Sequence, residues 1–133
     1  MTLSRFWNYE NDHEATIRNG RMLLSRGLRE ILSDTMLYVS LGNESPNYPF
    51  VVICDARSLE LPAHVLRRKR ANQVVVEDDH LILDDVYLNH AGITKQALCI
   101  GMAEWFELWN PKTWGRYKAA AGSFERRLER LWS

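Results

Sequence analysis

Four guanidinium side chains crowd one short stretch: Arg18, Arg21, Arg26 and Arg29 fall within twelve residues. Guanidinium groups neutralise phosphates, and arginine is the side chain that most often reads guanine. Asn19-Gly20 stands between the first two, a dipeptide that favours a tight turn and would present Arg18 and Arg21 together. An ordinary solvated turn would have the same composition. The densest basic run, Arg67-Arg68-Lys69-Arg70, suits contact with a polyanion or a partner, and equally a solvated helix end. Glu77, Asp78, Asp79, Asp84 and Asp85 have the opposite sign and would repel a phosphate backbone. They form either a solvated acidic loop or a turn that docks on the arginine cluster of a second copy and fixes register in a ring.

Other chemistry finds little footing. His13, His64, His80 and His90 are dispersed, without the H-x-x-x-H spacing of a metal site. The carboxylates of residues 78–85 lack the loop pattern of a calcium site. No glycine-rich phosphate loop occurs. Cys54 and Cys99 sit in apolar, strand-like runs, which predicts buried free thiols. The expectation is therefore no catalytic residues, no metal, no cofactor and no enzymatic activity.

The elements that would position these residues come in two diverged copies. Arg21-Met-Leu-Leu-Ser-Arg-Gly-Leu-Arg-Glu aligns with His80-Leu-Ile-Leu-Asp-Asp-Val-Tyr-Leu-Asn at an offset of 59, so His80 takes the place of Arg21. In both, an aliphatic run meets a helix-capping residue, Ser25 or Asp84, and then a short helical pattern. Met36-Leu-Tyr-Val-Ser aligns with Ala97-Leu-Cys-Ile-Gly at an offset of 61, and Phe50 to Leu59 with Trp105 to Trp114 at an offset of 55. A longer turn in the first copy, residues 41–49, absorbs the change. Asp55 and Asn110 end the last strands as helix caps, with Pro111 at a first helical position. A helix is predicted over 59–73 in the first copy and over 111–132 in the second, the latter interrupted by Gly115 and Gly122. Phe124, Leu128, Leu131 and Trp132 give that last helix an apolar face.

The second copy carries a family resemblance. His90-Ala-Gly-Ile-Thr-Lys95, the strand ending at Gly101, Phe106-Glu-Leu-Trp109 and Trp114 resemble the C-terminal half of MraZ proteins. Gly20-Arg21-Met-Leu-Leu and Leu28-Arg29-Glu30 resemble the family's signatures in the first half. The resemblance implies a mainly β fold with short helices (α+β), a tandem AbrB-type double-split β-barrel with an internal pseudo-two-fold repeat, in units 6–73 and 74–133. It further implies a DNA-binding transcriptional regulator that acts as a ring-like homo-oligomer on repeated promoter elements. Arg18, Arg21, Arg26, Arg29 and His80 would then form the DNA-binding set. The family's D-x-x-G-R signature is incomplete in both copies. Residues 17–21 read Ile-Arg-Asn-Gly-Arg and residues 76–80 read Val-Glu-Asp-Asp-His. A scaffold that has lost DNA binding is the competing reading.

The bulk properties fit this frame. The 133 residues include 46% hydrophobic side chains, enough for a packed core. The net charge is zero, but unevenly spread: +2 over residues 1–72, −6 over 73–110 and +4 over 111–133. No apolar run approaches a membrane span, and the N-terminus turns polar too early for a signal peptide. A cytoplasmic, nucleoid-associated protein is expected. Trp109, Trp114, Phe124, Leu131 and Trp132 look too apolar for one small surface, which predicts self-association.

Overall fold

The computed structural model describes residues 13–32, 36–102 and 104–121. Within them, eight strands close into an antiparallel barrel: β1 (His13–Arg18), β2 (Arg21–Leu23), β3 (Leu37–Asn43), β4 (Pro49–Asp55), β5 (Asn72–Glu77), β6 (His80–Ile82), β7 (Gln96–Gly101) and β8 (Trp105–Trp109). Around the ring they run β1-β2-β6-β5-β3-β4-β8-β7. Four short helices intervene: α1 (Arg26–Leu32), α2 (Ala63–Leu66), α3 (Asp85–Ala91) and α4 (Pro111–Ala121). The architecture is the mainly β, α+β barrel that the repeat and the resemblance imply.

The registers reveal the internal symmetry. β1 pairs with β7 as β5 pairs with β3, and exchanging β1–β4 for β5–β8 returns the same ring. Met22 faces Leu81, its own counterpart at an offset of 59. On the far side Val52 faces Glu107, its counterpart at an offset of 55. A pseudo-two-fold axis therefore passes through both pairs. The same registers correct one alignment: β3 and β7 correspond at an offset of 60, because Leu37 pairs with Val74 where Ala97 pairs with Ala15. An offset of 61 would match exposed Met36 to buried Ala97, and a one-residue slip turns every side chain to the other face.

Alternation along the strands builds two cores. Val51 and Ile53 of β4, with Phe106 and Leu108 of β8, point into the barrel, where they meet Met22, Leu81, Leu37 and Cys99. The intervening residues Phe50, Val52 and Cys54, with Trp105 and Trp109, point outward. Trp114 and Tyr117 of α4 and Val65 and Leu66 of α2 cover them. Phe50 stacks on Trp109 at 4.8 Å, and Trp109 meets Trp114 edge-on at 4.9 Å. Trp109 and Trp114 are thus core residues, which removes them from the predicted self-association surface. Phe124, Leu128, Leu131 and Trp132 lie outside the described residues.

Two helix expectations change. The helix predicted over 59–73 shrinks to the single turn α2, preceded by a 3-10 turn over Ser58–Glu60. Arg67 leaves the helix in a left-handed conformation (φ 57°), and Arg68 bridges to Gly42 as an isolated β pair. Residues from Asn72 onward are needed as β5, so pairing overrides helical propensity. The basic run is divided accordingly. Arg68 Nη2 donates to the Leu59 and Leu61 carbonyls at 2.9 and 3.3 Å, while Lys69 and Arg70 stay exposed. In α4, Gly115 is an exposed helical position and no interruption. Asn110 caps this helix: its Oδ1 accepts from the Lys112 N–H at 2.8 Å.

Candidate nucleic-acid interface

The two ends of the pseudo-axis differ. Around Val52 and Glu107 the outside of the barrel is covered by helices. Around Met22 and Leu81 no helix among the described residues covers the outer face of β1-β2-β6-β5. Residues flanking the buried Met22 and Leu81 must point outward there. One row across the strands reads Arg18, Arg21, Ile82, Val75, and the next reads Leu23, His80, Glu77. Leu23 and Val75 are about half exposed, at 52% and 55%. The face therefore mixes apolar ground with charges of both signs.

Two turns crown this face. Asn19 and Gly20 both have positive φ (53° and 74°), the signature of a tight hairpin between Arg18 and Arg21. Glycine is favoured at the second position, because a Cβ there would lie 2.9 Å from the Leu83 carbonyl oxygen. Asp78 and Asp79 form the matching turn of the second hairpin, with φ of 51° and 63°. Each turn is tied to the other hairpin. The Leu83 N–H donates to the Gly20 carbonyl at 2.7 Å, and the Leu24 N–H donates to the Asp79 carbonyl at 2.9 Å. The basic and acidic turns are held side by side.

Each of the expected residues has a definite place. Arg18 is exposed and directly opposite Arg21, and makes no ion pair among the described residues. The Arg21 side chain crosses β6, donating from Nη2 to the Glu77 carbonyl at 3.4 Å with Nη1 3.9 Å from Glu77 Oε1. Arg29 Nη1 donates to Asp79 Oδ2 at 3.0 Å. Arg26 leans on Glu30 one helical turn away, at 3.5 Å. These two arginines stand on α1, whose first turn Ser25 caps by accepting the Leu28 N–H at 3.2 Å. His80 Nδ1 is bonded to the Asp78 carbonyl at 2.7 Å, which leaves Nε2 on the bare face. The pseudo-axis gathers all five residues onto one side of the barrel.

Sequence reasoning missed where the acidic turn goes. Glu77 and Asp79 reach the arginines of their own chain, so the pairing expected between two copies is made within one. The internal offset of 59 held the signal, since it sets Arg18 against Glu77 and Gly20 against Asp79 about one axis. A second missed feature is a shallow cleft one strand away, lined by Thr16, Gly92, Thr94, Lys95, Gln96 and Lys112 among others. Lys95 closes the His90–Lys95 motif and was in plain view there.

No cluster of three or more His, Cys, Asp or Glu side chains forms among the described residues. His90 ends α3 and binds the Gly42 carbonyl through Nε2 at 2.8 Å. Cys54 and Cys99 are buried and free, and burial pushes both thiols up to about 12. Nearby Arg68 pulls Cys54 down and Asp55 pushes it up, both less than burial does. No described helix is long and apolar enough to cross a membrane.

Residues 78–132 match the family model described as "MraZ protein, putative antitoxin-like". The second half of this chain is similar to MraZ proteins. No curated protein matches the chain. The matched MraZ segment runs from the acidic turn through α3, β7, β8 and α4. Its pseudo-symmetry mate, β1 to β4, completes the MraZ-like barrel.

Proposed function

We propose that the protein is a MraZ-like transcriptional regulator that binds double-stranded DNA through the bare β1-β2-β6-β5 face. The observation that carries this reading is the Asn19-Gly20 hairpin. It presents Arg18 and Arg21 from directly opposed positions, beside Arg26 and Arg29 on α1. Opposed like charges cost energy in a structure that needs only to fold. A phosphate between them would turn that cost into binding. Arg21 is the first candidate for a base or phosphate contact, and His80 is its counterpart in the second lobe. The units 6–73 and 74–133 would each contribute one lobe. Weak contact by one chain calls for avidity, so the working form is a ring-like homo-oligomer on repeated promoter elements, in the cytoplasm at the nucleoid.

Mobility shift on a duplex of family-type promoter repeats at two salt concentrations tests it. Arg21→Ala should cost about 1–3 kcal/mol if Arg21 reads a base. A pure phosphate contact would instead weaken all sequences alike and lower the salt slope by about one. Equal binding by wild type and variant, with folding intact, rejects the reading. Light scattering at micromolar concentration tests the assembly, and a clean 15.5 kDa monomer would remove the ring. One observation favours a second reading, a protein-interaction scaffold: Arg21, Arg26 and Arg29 already face carboxylates. That reading expects no duplex binding at any salt.

A further inference from the structure

We infer that the acidic turn is a built-in competitor for DNA phosphate, restraining the affinity of the arginine face; this rests on the DNA-binding reading. Asp79 Oδ2 sits 3.0 Å from Arg29 Nη1, where a phosphate oxygen would sit in a charge-assisted contact. Glu77 approaches Arg21 in the same sense, at 3.9 Å and with a second bond through its carbonyl. Both carboxylates come tethered. The Asp79 carbonyl accepts the Leu24 N–H, and Glu77 ends a strand paired to β6. A tethered anion competes at high effective concentration.

The competition is reversible. The paired side chains remain 43% exposed at Arg29 and 58% at Asp79, and exposed ion pairs hold loosely. DNA must displace the carboxylates before it neutralises the guanidiniums, and the displaced carboxylates then repel it. The device is one-sided. Gly20, the counterpart of Asp79, has no side chain, and the counterpart of Arg29 is Leu88, buried in the barrel core. No equivalent pair spans the axis the other way.

Phosphate contact needs no operator, so a labelled duplex of arbitrary sequence serves as the probe. Anisotropy titrations would compare wild type, Asp79→Asn, Arg29→Ala and the double variant at about 50 and 200 mM salt. Circular dichroism and melting would confirm equal folding. Asp79→Asn should tighten binding about three- to tenfold at the lower salt and steepen the salt slope by about one phosphate. The gain should vanish in the Arg29→Ala background, because no guanidinium is left to release. An equal gain in both backgrounds would reduce Asp79 to general repulsion and overturn the inference. So would unchanged affinity in a wild type that binds DNA through Arg21, with the function left standing. If neither wild type nor Asp79→Asn binds the duplex, the DNA-binding reading itself fails and takes this one with it.

Discussion

Glu107 offers a quantitative test of how the covered side of the barrel is held. It is fully buried at the pseudo-axis, opposite Val52. Period-two alternation puts Trp105, Glu107 and Trp109 on one face of β8. The indole N–H of Trp105 donates to Glu107 Oε2 at 2.9 Å, and that of Trp109 donates to Oε1 at 2.9 Å. Glu107→Gln preserves shape and volume but replaces one acceptor oxygen with an NH2 group. One indole keeps its partner and the other faces a donor. A lost charge-assisted bond and an orphaned buried N–H would together cost about 2–5 kcal/mol. An amide is cheaper to bury than a carboxylate, which offsets part of this. The net expectation is a loss of about 1–3 kcal/mol. For a chain of this size that lowers the melting temperature by about 3–10 °C. Urea denaturation followed by tryptophan fluorescence should show a lower midpoint with an unchanged slope. Adding Trp105→Phe removes one of the two competing donors. The double variant should then be more stable than the sum of the single changes implies, by about 1 kcal/mol. A Glu107→Gln protein within about 0.5 kcal/mol of wild type would refute the reasoning.

Two further outcomes follow from the same geometry. Gly20→Ala forces a left-handed alanine against the Leu83 carbonyl, so it should cost about 1–3 kcal/mol in melts and weaken DNA binding with it; a neutral substitution would mean that the turn is slack. Cys54 and Cys99 are held well above their ordinary value of 9.0, at about 12, by burial. Both should therefore resist alkylation at neutral pH until the chain unfolds, and labelling as fast as in denaturant would disprove that burial. The linked effect has a definite sign. The folded state holds these protons more tightly, so the stabilisation is complete below about pH 9 and is lost as pH rises toward 12. Melting temperatures measured across that window should fall, and a Cys54→Ala, Cys99→Ala variant should show a shallower decline.

Much of this fold was legible because the repeat is legible. Gly20-Arg21 and Asp79-His80, each followed by three aliphatic residues, fix the paired hairpins. Asn110-Pro111 fixes the start of α4. The helix predicted over 59–73 failed because Arg67–Arg70 and Asn72 have no strong strand signal of their own. Their conformation is decided by the empty place beside β3 that β5 must fill. The site was half legible. Arginines within twelve residues are visible in sequence, but a partner 50 residues away, as Asp79 is from Arg29, becomes visible only once the axis is known. Trp109 and Trp114 misled for a related reason. A cluster of large aromatics looks like too much for one small surface until the outward face of β4 is known to need a cover.

The axis also explains why these two lobes share one chain. In a symmetric dimer of one unit, every residue at the axis meets itself. A glutamate in place of Val52 as well as at 107 would set two buried carboxylates against each other, and one would be forced to hold a proton. Covalent fusion lets Val52 stay apolar while Glu107 gathers two indoles. The bare face follows the same logic. With aspartate in both turns, a carboxylate at position 20 would stand beside the opposed basic pair. With glycine in both, Arg29 would have no carboxylate in reach. The unlike halves place a basic hairpin and its restraining anion on either side of one axis. Divergence between the copies is thus the condition for the ion pairs of this face, and the incomplete signature at residues 76–80 is where that asymmetry resides.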